Sequence, residues 1–241
     1  MSFKPKVALS NEFLLQLAKL PAKVHTKVMK WAIQFQADPK SPGINYENIN
    51  GARDPNLKSV RLDGDWRGIV FKPSAGDVYV LLYVDHHDDA YRWAENRKLT
   101  INPVTGAMQM LTLESITEQV PEKTPSANDA AVDGAVAQPA VAAAPALFAS
   151  LEDRELMSLG VPQELLSFVR GIACEDELDA KQALLPLEAY EGLFLVAAGD
   201  TVSQVLYARE TRVDKVIDTS DFAAALATPE SQSRFVVVSD D

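Results

Sequence analysis

The residues best equipped for chemistry fall in the run Val84-Asp85-His86-His87-Asp88-Asp89-Ala90-Tyr91-Arg92-Trp93, which holds two of the chain's three histidines. The run begins with strand character and continues as a helix. On the strand His86 and His87 point to opposite faces, whereas on the helix His87 and Tyr91, four apart, share one, so at least one histidine is accessible. A second group, Lys58, Arg61 and Arg67, flanks the turn Asp63-Gly64-Asp65. A three-residue turn sets Arg61 opposite Arg67 on one face; a two-residue turn sets Arg61 against Trp66 and sends Arg67 to the other side. Paired arginines beside a histidine and a tyrosine suit phosphodiester chemistry or phosphate binding. The guanidinium groups hold the phosphate and its developing charge, and His87 or Tyr91 moves protons. A structural reading stands beside this one: Asp88 caps the helix and pairs with Arg92, Tyr91 and Trp93 pack on the sheet, and the arginines neutralise nearby aspartates. No metal site is expected, because this cluster has neither the cysteines nor the third histidine that zinc sites combine.

The elements that must position these residues can be read in order. Lys6 to Leu9 is a short strand, and Ser10 or Asn11 caps a helix with Phe13, Leu14, Leu17 and Leu20 on its apolar side. Pro21 opens a second helix, in which Val24, Val28, Met29, Ala32 and Phe35 form a core-facing stripe that stops near Asp38-Pro39. A loop rich in Pro, Gly and Asn runs to about Asn56. Three strands follow, Leu57 to Leu62, Trp66 to Phe71 and Val78 to Val84, joined by turns suited to antiparallel hairpins. A short helix from about Asp88 to Arg97 closes the unit. The order β-α-α-β-β-β-α predicts an α+β fold, a helical hairpin on one face of an antiparallel sheet.

The net charge of −11 is unevenly spread. Residues 1–110 carry 15 Lys and Arg against 11 Asp and Glu, and residues 148–241 carry 7 against 18. A mildly basic module is thus joined to a strongly acidic one, which permits a polyanionic partner for the first and mutual attraction between the two. Between them residues 111–147, with Pro121, Pro125, Pro139 and Pro145 among small and polar residues, have the composition of a flexible linker. Residues 148–241 read as a small, mainly helical acidic domain. Ser150 and Asp153 resemble a capping box, and helices are expected near 162–170, 175–184, 186–198, 201–208 and 220–227. Phe235 to Val238 has strand character but no good pairing partner within the acidic region, so the chain is expected to stop partway through a larger protein. Cys174, the single cysteine, is expected as a small core residue. The absence of a signal peptide and of any apolar run of about 20 residues predicts a cytoplasmic protein that does not cross a membrane.

The element order, the Arg61 and Arg67 pair, and the histidine and tyrosine after the last long strand resemble the RelE/ParE toxin superfamily, whose ribonuclease members cut messenger RNA. More specifically, Asn45-Tyr46-Glu47, Gly51 to Leu57, Ser59-Val60-Arg61 and Val84 to Tyr91 resemble the RelE-like segment at the N-terminus of certain bacterial UvrD-like superfamily I DNA helicases. Leu159-Gly160-Val161-Pro162, Ala197-Ala198-Gly199 and Phe235 to Val238 are similar to the stretch leading into the motor of those proteins. This resemblance implies a non-motor region that engages nucleic acid, DNA or RNA, or a nucleoprotein such as the ribosome, and that recruits or regulates a helicase motor in cis. It marks Lys58, Arg61, Arg67, His86 and Arg92 as nucleic-acid contacts. It also implies an alternative, a ribonuclease acting through Arg61, Arg67, His87 and Tyr91. A third reading is a ParE-like protein-interaction module using exposed hairpin positions such as Lys23 and Lys27. No Gly-x-x-x-x-Gly-Lys-Ser/Thr phosphate loop occurs, so ATP and Mg belong only to a motor absent from this chain. For the acidic region, docking is favoured over a helix-hairpin-helix role near Gly160, since phosphate-neutralising cations are scarce there.

Overall fold

The computed structural model describes residues 5–113, 146–209 and 216–238. The fold is α+β. The first stretch contains β1 (Lys6–Ser10), α1 (Asn11–Lys19), α2 (Ala22–Ala37), β2 (Tyr46–Asn48), β3 (Leu57–Arg61), β4 (Trp66–Phe71), β5 (Val78–His86), α3 (His87–Glu95), β6 (Arg97–Ile101) and β7 (Met108–Thr112). Ser10 caps α1: its Oγ accepts from Phe13 N at 3.0 Å and donates to the Leu82 carbonyl at 2.7 Å, tying the helix start to the sheet. Pro21 then separates α1 from α2. The short β2 lies within the stretch expected as loop, and the β6–β7 hairpin follows where a closing helix was expected to run to Arg97.

Six strands form the main sheet in the order β2-β3-β4-β5-β1, with β8 (Phe235–Val237) outermost beside β1. All neighbours are antiparallel except β1 and β5, which run parallel with Val7 opposite Tyr79. A parallel pair needs a crossover, and here the α1–α2 hairpin and β2 to β4 supply it. The sheet is covered on both sides. Phe13, Leu17, Val28, Ala32 and Phe35 of the helical hairpin pack with Val60, Val70, Tyr79 and Leu81. On the other face Leu57, Ile69, Phe71, Val80 and Leu82 meet Ala90 and Ala94 of α3, Leu99, Ile101 and Met108 of the β6–β7 hairpin, and Ala225 and Leu226. This two-sided burial explains the unbroken apolar run Val78 to Val84. A bulge in β5 lets Leu82 and Tyr83 both join the second core.

The linker expected over 111–147 lies, from 114 to 145, outside the described residues. Residues 146–209 form a helical unit: α4 (Asp153–Ser158), α5 (Leu166–Arg170), α6 (Glu175–Ala180), α7 (Leu187–Ala197) and α8 (Val202–Ala208) enclose Phe148, Leu156, Leu159, Leu165, Leu178 and Leu193. The capping box forms at Glu152 and Glu155 rather than at Ser150 and Asp153, because Glu155 reaches back to the Glu152 amide at 2.8 Å. Cys174 is exposed at the start of α6, not in the core. Gly160, at φ +100°, passes so close to α7 that a Cβ there would lie 3.2 Å from the Ala189 amide nitrogen.

The unit meets the β6–β7 hairpin through polar groups. Asn102 donates to the Met157 and Val161 carbonyls at 3.1 and 3.2 Å, and Gln109 donates to the Gly160 carbonyl and to Glu188, each at 2.7 Å. The last stretch, with α9 (Phe222–Leu226), α10 (Pro229–Gln232) and β8, then returns to the sheet. The strand for which the acidic region offers no partner finds one in β1: Ser10 stands opposite Phe235, and Ala8 opposite Val237. Phe222 packs on Phe71 at 4.7 Å between ring centres. No helix among the described residues is long and apolar enough to cross a membrane.

Arg234 joins these three parts. It donates to the Met108 carbonyl at 2.8 Å and pairs with Glu188, and burial pulls its pKa down to about 10. Removing one partner of a largely buried pair leaves the other charge uncompensated. Arg234→Ala is therefore expected to lower unfolding stability in urea by about 3 kcal/mol or more. Arg234→Met combined with Glu188→Gln should recover most of that loss; a single Arg234→Ala change that leaves the urea midpoint unmoved contradicts the pairing.

Candidate functional site

The Asp63-Gly64-Asp65 turn takes three residues, and Arg61 stands opposite Arg67. The reason lies in Asp63. Its carboxylate accepts from the amides of Asp65 at 2.9 Å and Trp66 at 3.0 Å, a local bonding pattern that closes the reversal. Its carbonyl accepts from Arg61 Nε and from an Arg67 terminal nitrogen, each at 3.1 Å. Lys27 of α2 reaches the same carboxylate at 2.9 Å. That ammonium and then the two amides hold the Asp63 carboxyl down from its ordinary 3.8 to about 2.

Across the sheet Arg67 stands opposite Asp85, and the His87 amide donates to the Asp65 carbonyl at 2.8 Å. The start of α3 is thereby pinned to the hairpin tip. His87 and Tyr91 share a helix face, with ring centres 4.3 Å apart. Tyr91 reaches back over the sheet, its hydroxyl 3.0 Å from Ser59 Oγ, two residues from Arg61 on the same side of β3. Arg61, Arg67, His87 and Tyr91 are thus brought to one face of one sheet end.

The other candidates lie elsewhere. His86 points to the helical-hairpin side and packs against Trp66, the ring centres 4.0 Å apart and the planes tilted by 37°. Lys58 also lies on that side and donates to Asn48 at 2.6 Å. Arg92 is exposed and pairs with Asp89 at 2.9 Å, while Asp88 pairs with His87 at 2.8 Å instead of with Arg92. Asp88 is not the cap of α3; the N-cap position is His86, which makes no side-chain cap bond. The His87 contact holds the Asp88 carboxyl below the usual range.

What the arrangement can do is limited by how its cations are held. Arg67 is only 8% exposed, with one terminal nitrogen on the Asp63 and Trp66 carbonyls and Nε without a hydrogen-bond partner among the described residues. Arg61 is exposed, and its terminal nitrogens make no bond among the described residues. Asp63 and Asp65 at the turn, Asp85 opposite Arg67 and Asp88 beside His87 set four carboxylates next to the cluster. Such a site can hold a phosphate at Arg61 with His87 and Tyr91 alongside, but it does not present a dense cradle of cations for a pentacoordinate transition state.

A cleft of about 360 Å³ adjoins the site, lined by Tyr83, Asp85, Arg92, Trp93, Arg97 and Thr112 among others. Tyr83 stacks flat on Trp93 at 4.7 Å, and the Arg97 guanidinium lies 4.7 Å from the Trp93 ring. Trp93 Nε1 donates to Glu12 at 2.7 Å, and Tyr83 donates to Asp85 while accepting from Gln16. Burial, followed by the Asp85 carboxylate, holds the Tyr83 phenol well above its ordinary range. Of these residues Glu12, Gln16, Tyr83, Arg97 and Thr112, together with Ser59 and Asp63, were not named as site candidates from the sequence, whereas Asp85, Arg92 and Trp93 lie in the run singled out there. Asp63 left a signal in the Asp-Gly-Asp turn; the others depend on pairing and helix placement. Among the described residues no three His, Cys, Asp or Glu side chains gather to hold a metal ion.

No protein-family model matches the chain, and no curated protein matches it. Among solved structures it is similar to the RelB-RelE antitoxin-toxin complex of Methanococcus jannaschii, at 15% identity over 35% of this chain and 95% of that one, TM-score 0.29. It is also similar to the RelBE2 toxin-antitoxin complex of Mycobacterium tuberculosis, at 20% identity over 35% and 100% of the two chains, TM-score 0.28. A third is the archaeal RelE-RelB complex of Pyrococcus horikoshii OT3, at 20% identity over 36% and 96%, TM-score 0.27.

Asp63 ties the site together, and its depressed pKa makes this pH-dependent. A carboxyl whose pKa is lower folded than unfolded contributes stability above its unfolded value and loses it as pH falls through the folded one. The contribution of Asp63 is thus full above about pH 4 and lost toward pH 2. At pH 6, Asp63→Ala should cost about 1–2 kcal/mol and speed amide exchange at the hairpin tip. The gap to the unaltered protein should narrow toward pH 2.5; a gap independent of pH contradicts the assignment.

Proposed function

We propose that the module containing β1 to β7 engages nucleic acid, as the non-motor region of a UvrD-like ATP-dependent DNA helicase, holding the strand or nucleoprotein on which a motor in cis works. The observation that carries this reading is the gathering of Arg61, Arg67, His87 and Tyr91 on one face at the β3–β4 tip. The sequence likeness of residues 45–47, 51–57, 59–61 and 84–91 to the RelE-like segment of such helicases supports the context. The burial of Arg67 and the adjacent aspartates favour holding over cutting. ATP and Mg belong to the motor; nothing in the reading requires a cofactor here.

Fluorescence anisotropy of the full chain with labelled single-stranded DNA, RNA and duplex, across a salt series, tests the reading. Micromolar binding that weakens as salt rises is the expected result, with Arg61→Ala weaker by about threefold to tenfold. An absence of salt-dependent binding to all three removes the nucleic-acid part.

One observation favours a second reading, a ribonuclease: His87 is oriented by Asp88 at 2.8 Å and lies in ring contact with Tyr91. On this reading expression arrests translation or cleaves RNA, and His87→Ala with Tyr91→Phe abolishes the effect. Intact RNA and normal growth on expression count against it.

A further inference from the structure

The positive charge of the module is not confined to the Arg61 edge. Helix α2 carries Lys23, Lys27 and Lys30, at steps of four and three residues, on one exposed stripe, and Lys19 lies in the last turn of α1 beside it. From Ala22 to Ala37 there is no acidic residue. Lys19, Lys23 and Lys30 make no ion pair among the described residues, and Lys27 alone is matched, by Asp63 at the hairpin tip. Lys23 lies in the first turn of α2, where the helix dipole disfavours cations, so its charge is not explained by helix stability.

The stripe leads to the site already described. Trp31 of α2 packs directly over Gly68, where an added Cβ would lie 2.9 Å from Trp31 Cη2, so only glycine lets the helix approach this closely. Two residues along the same face of β4, Trp66 carries the exposed ring of His86. Lysines, an aromatic platform and a histidine therefore run continuously from α2 to the tip, where Lys27 and Arg61 meet on Asp63. Lys23 to Lys30 spans about 10 Å of helix. In a duplex each strand presents a phosphate about every 3.4 Å of axis and an extended single strand presents them farther apart, so the stripe can meet up to about three phosphates of one strand.

We infer that the exposed face of α2, with Lys19 and the His86–Trp66 pair, is the surface that tracks the phosphate backbone, and that it supplies more of the electrostatic affinity than the Arg61 edge. The inference rests on the nucleic-acid reading above and adds the route of the strand: along α2, over the hairpin tip, to Arg61 and Tyr91. It also assigns His86 a contact on the side away from His87.

The test uses the full chain and a labelled 20-nucleotide single-stranded RNA, with a DNA of the same length in parallel. The variants are Lys19→Gln/Lys23→Gln/Lys30→Gln, the same three positions changed to Arg, and Arg61→Ala. The Gln variant should bind at least about tenfold more weakly at low salt, with its salt slope shallower by about 2, while the Arg variant binds as the unaltered protein does. Far-ultraviolet circular dichroism should be unchanged, since all three side chains are exposed. If the Gln variant binds normally while Arg61→Ala abolishes binding, the route along α2 is overturned and the nucleic-acid reading stands. If the Arg variant fails to restore binding, the contact is not one of charge and the inference also falls. No salt-dependent binding by the unaltered protein overturns both.

Discussion

Between Arg61 and Arg67 the chain reverses through Asp63, Gly64 and Asp65, and the bonds that Asp63 makes to the Asp65 and Trp66 amides set the length of that reversal. In a strand the side-chain period is two, so a turn one residue shorter would move one arginine to the opposite face. The same aspartate collects Lys27 from the helical hairpin, and Asp65 collects the start of α3. Helical hairpin, sheet and α3 are therefore registered against one another at a single point. Every spatial relation among Arg61, Arg67, His87 and Tyr91 follows from it.

The sheet that carries this tip is stable only because both faces are covered. The first hundred or so residues supply one cover in full and the other in part. The remainder comes from Phe222, Ala225, Leu226 and Phe235, and β8 supplies the outermost strand beside β1. The helical unit of residues 146–209 thus stands in sequence between two parts of one sheet structure, β7 and β8, and it contacts that structure through Asn102, Gln109, Glu188 and Arg234 instead of a broad apolar surface. Polar contacts of this kind specify a docking geometry strongly, since each partner lost leaves another buried group unsatisfied. The acidic half of the chain is matched to its neighbour through a few placed pairs such as Lys98 with Glu164, and its bulk negative charge faces solvent.

Local signals carried much of this. The stripe of Phe13, Leu17, Val28, Ala32 and Phe35, the cap at Ser10, the break at Pro21 and the runs of β3 to β5 could be read from periodicity and turn chemistry, and the shared face of His87 and Tyr91 from their spacing. What could not be read depends on distant pairing. The arginine register hung on one residue of turn length. The parallel contact of β1 with β5 and the antiparallel contact with β8 join segments about 70 and 230 residues apart, for which no local pattern exists. The β6–β7 hairpin was hidden because Arg97 to Ile101 continues directly from a helix. Cys174 follows the same rule: residue type favours burial, but its place at the start of α6 leaves it exposed.

The distribution of charge links fold to function. Carboxylates lie beside Arg61 and His87 while lysines, mostly without an ion pair among the described residues, line α2, so a polyanion is held more weakly at the His87 edge than along α2. Amide hydrogen exchange of the full chain, with and without saturating single-stranded RNA at low salt, addresses this directly, because it reports where a ligand lies and not only that it binds. The account predicts slowed exchange at the β3–β4 tip, the start of α3 and the exposed side of α2, with the helical unit unchanged. Slowed exchange at α7 and α8 with none at the tip, or no change anywhere, contradicts it.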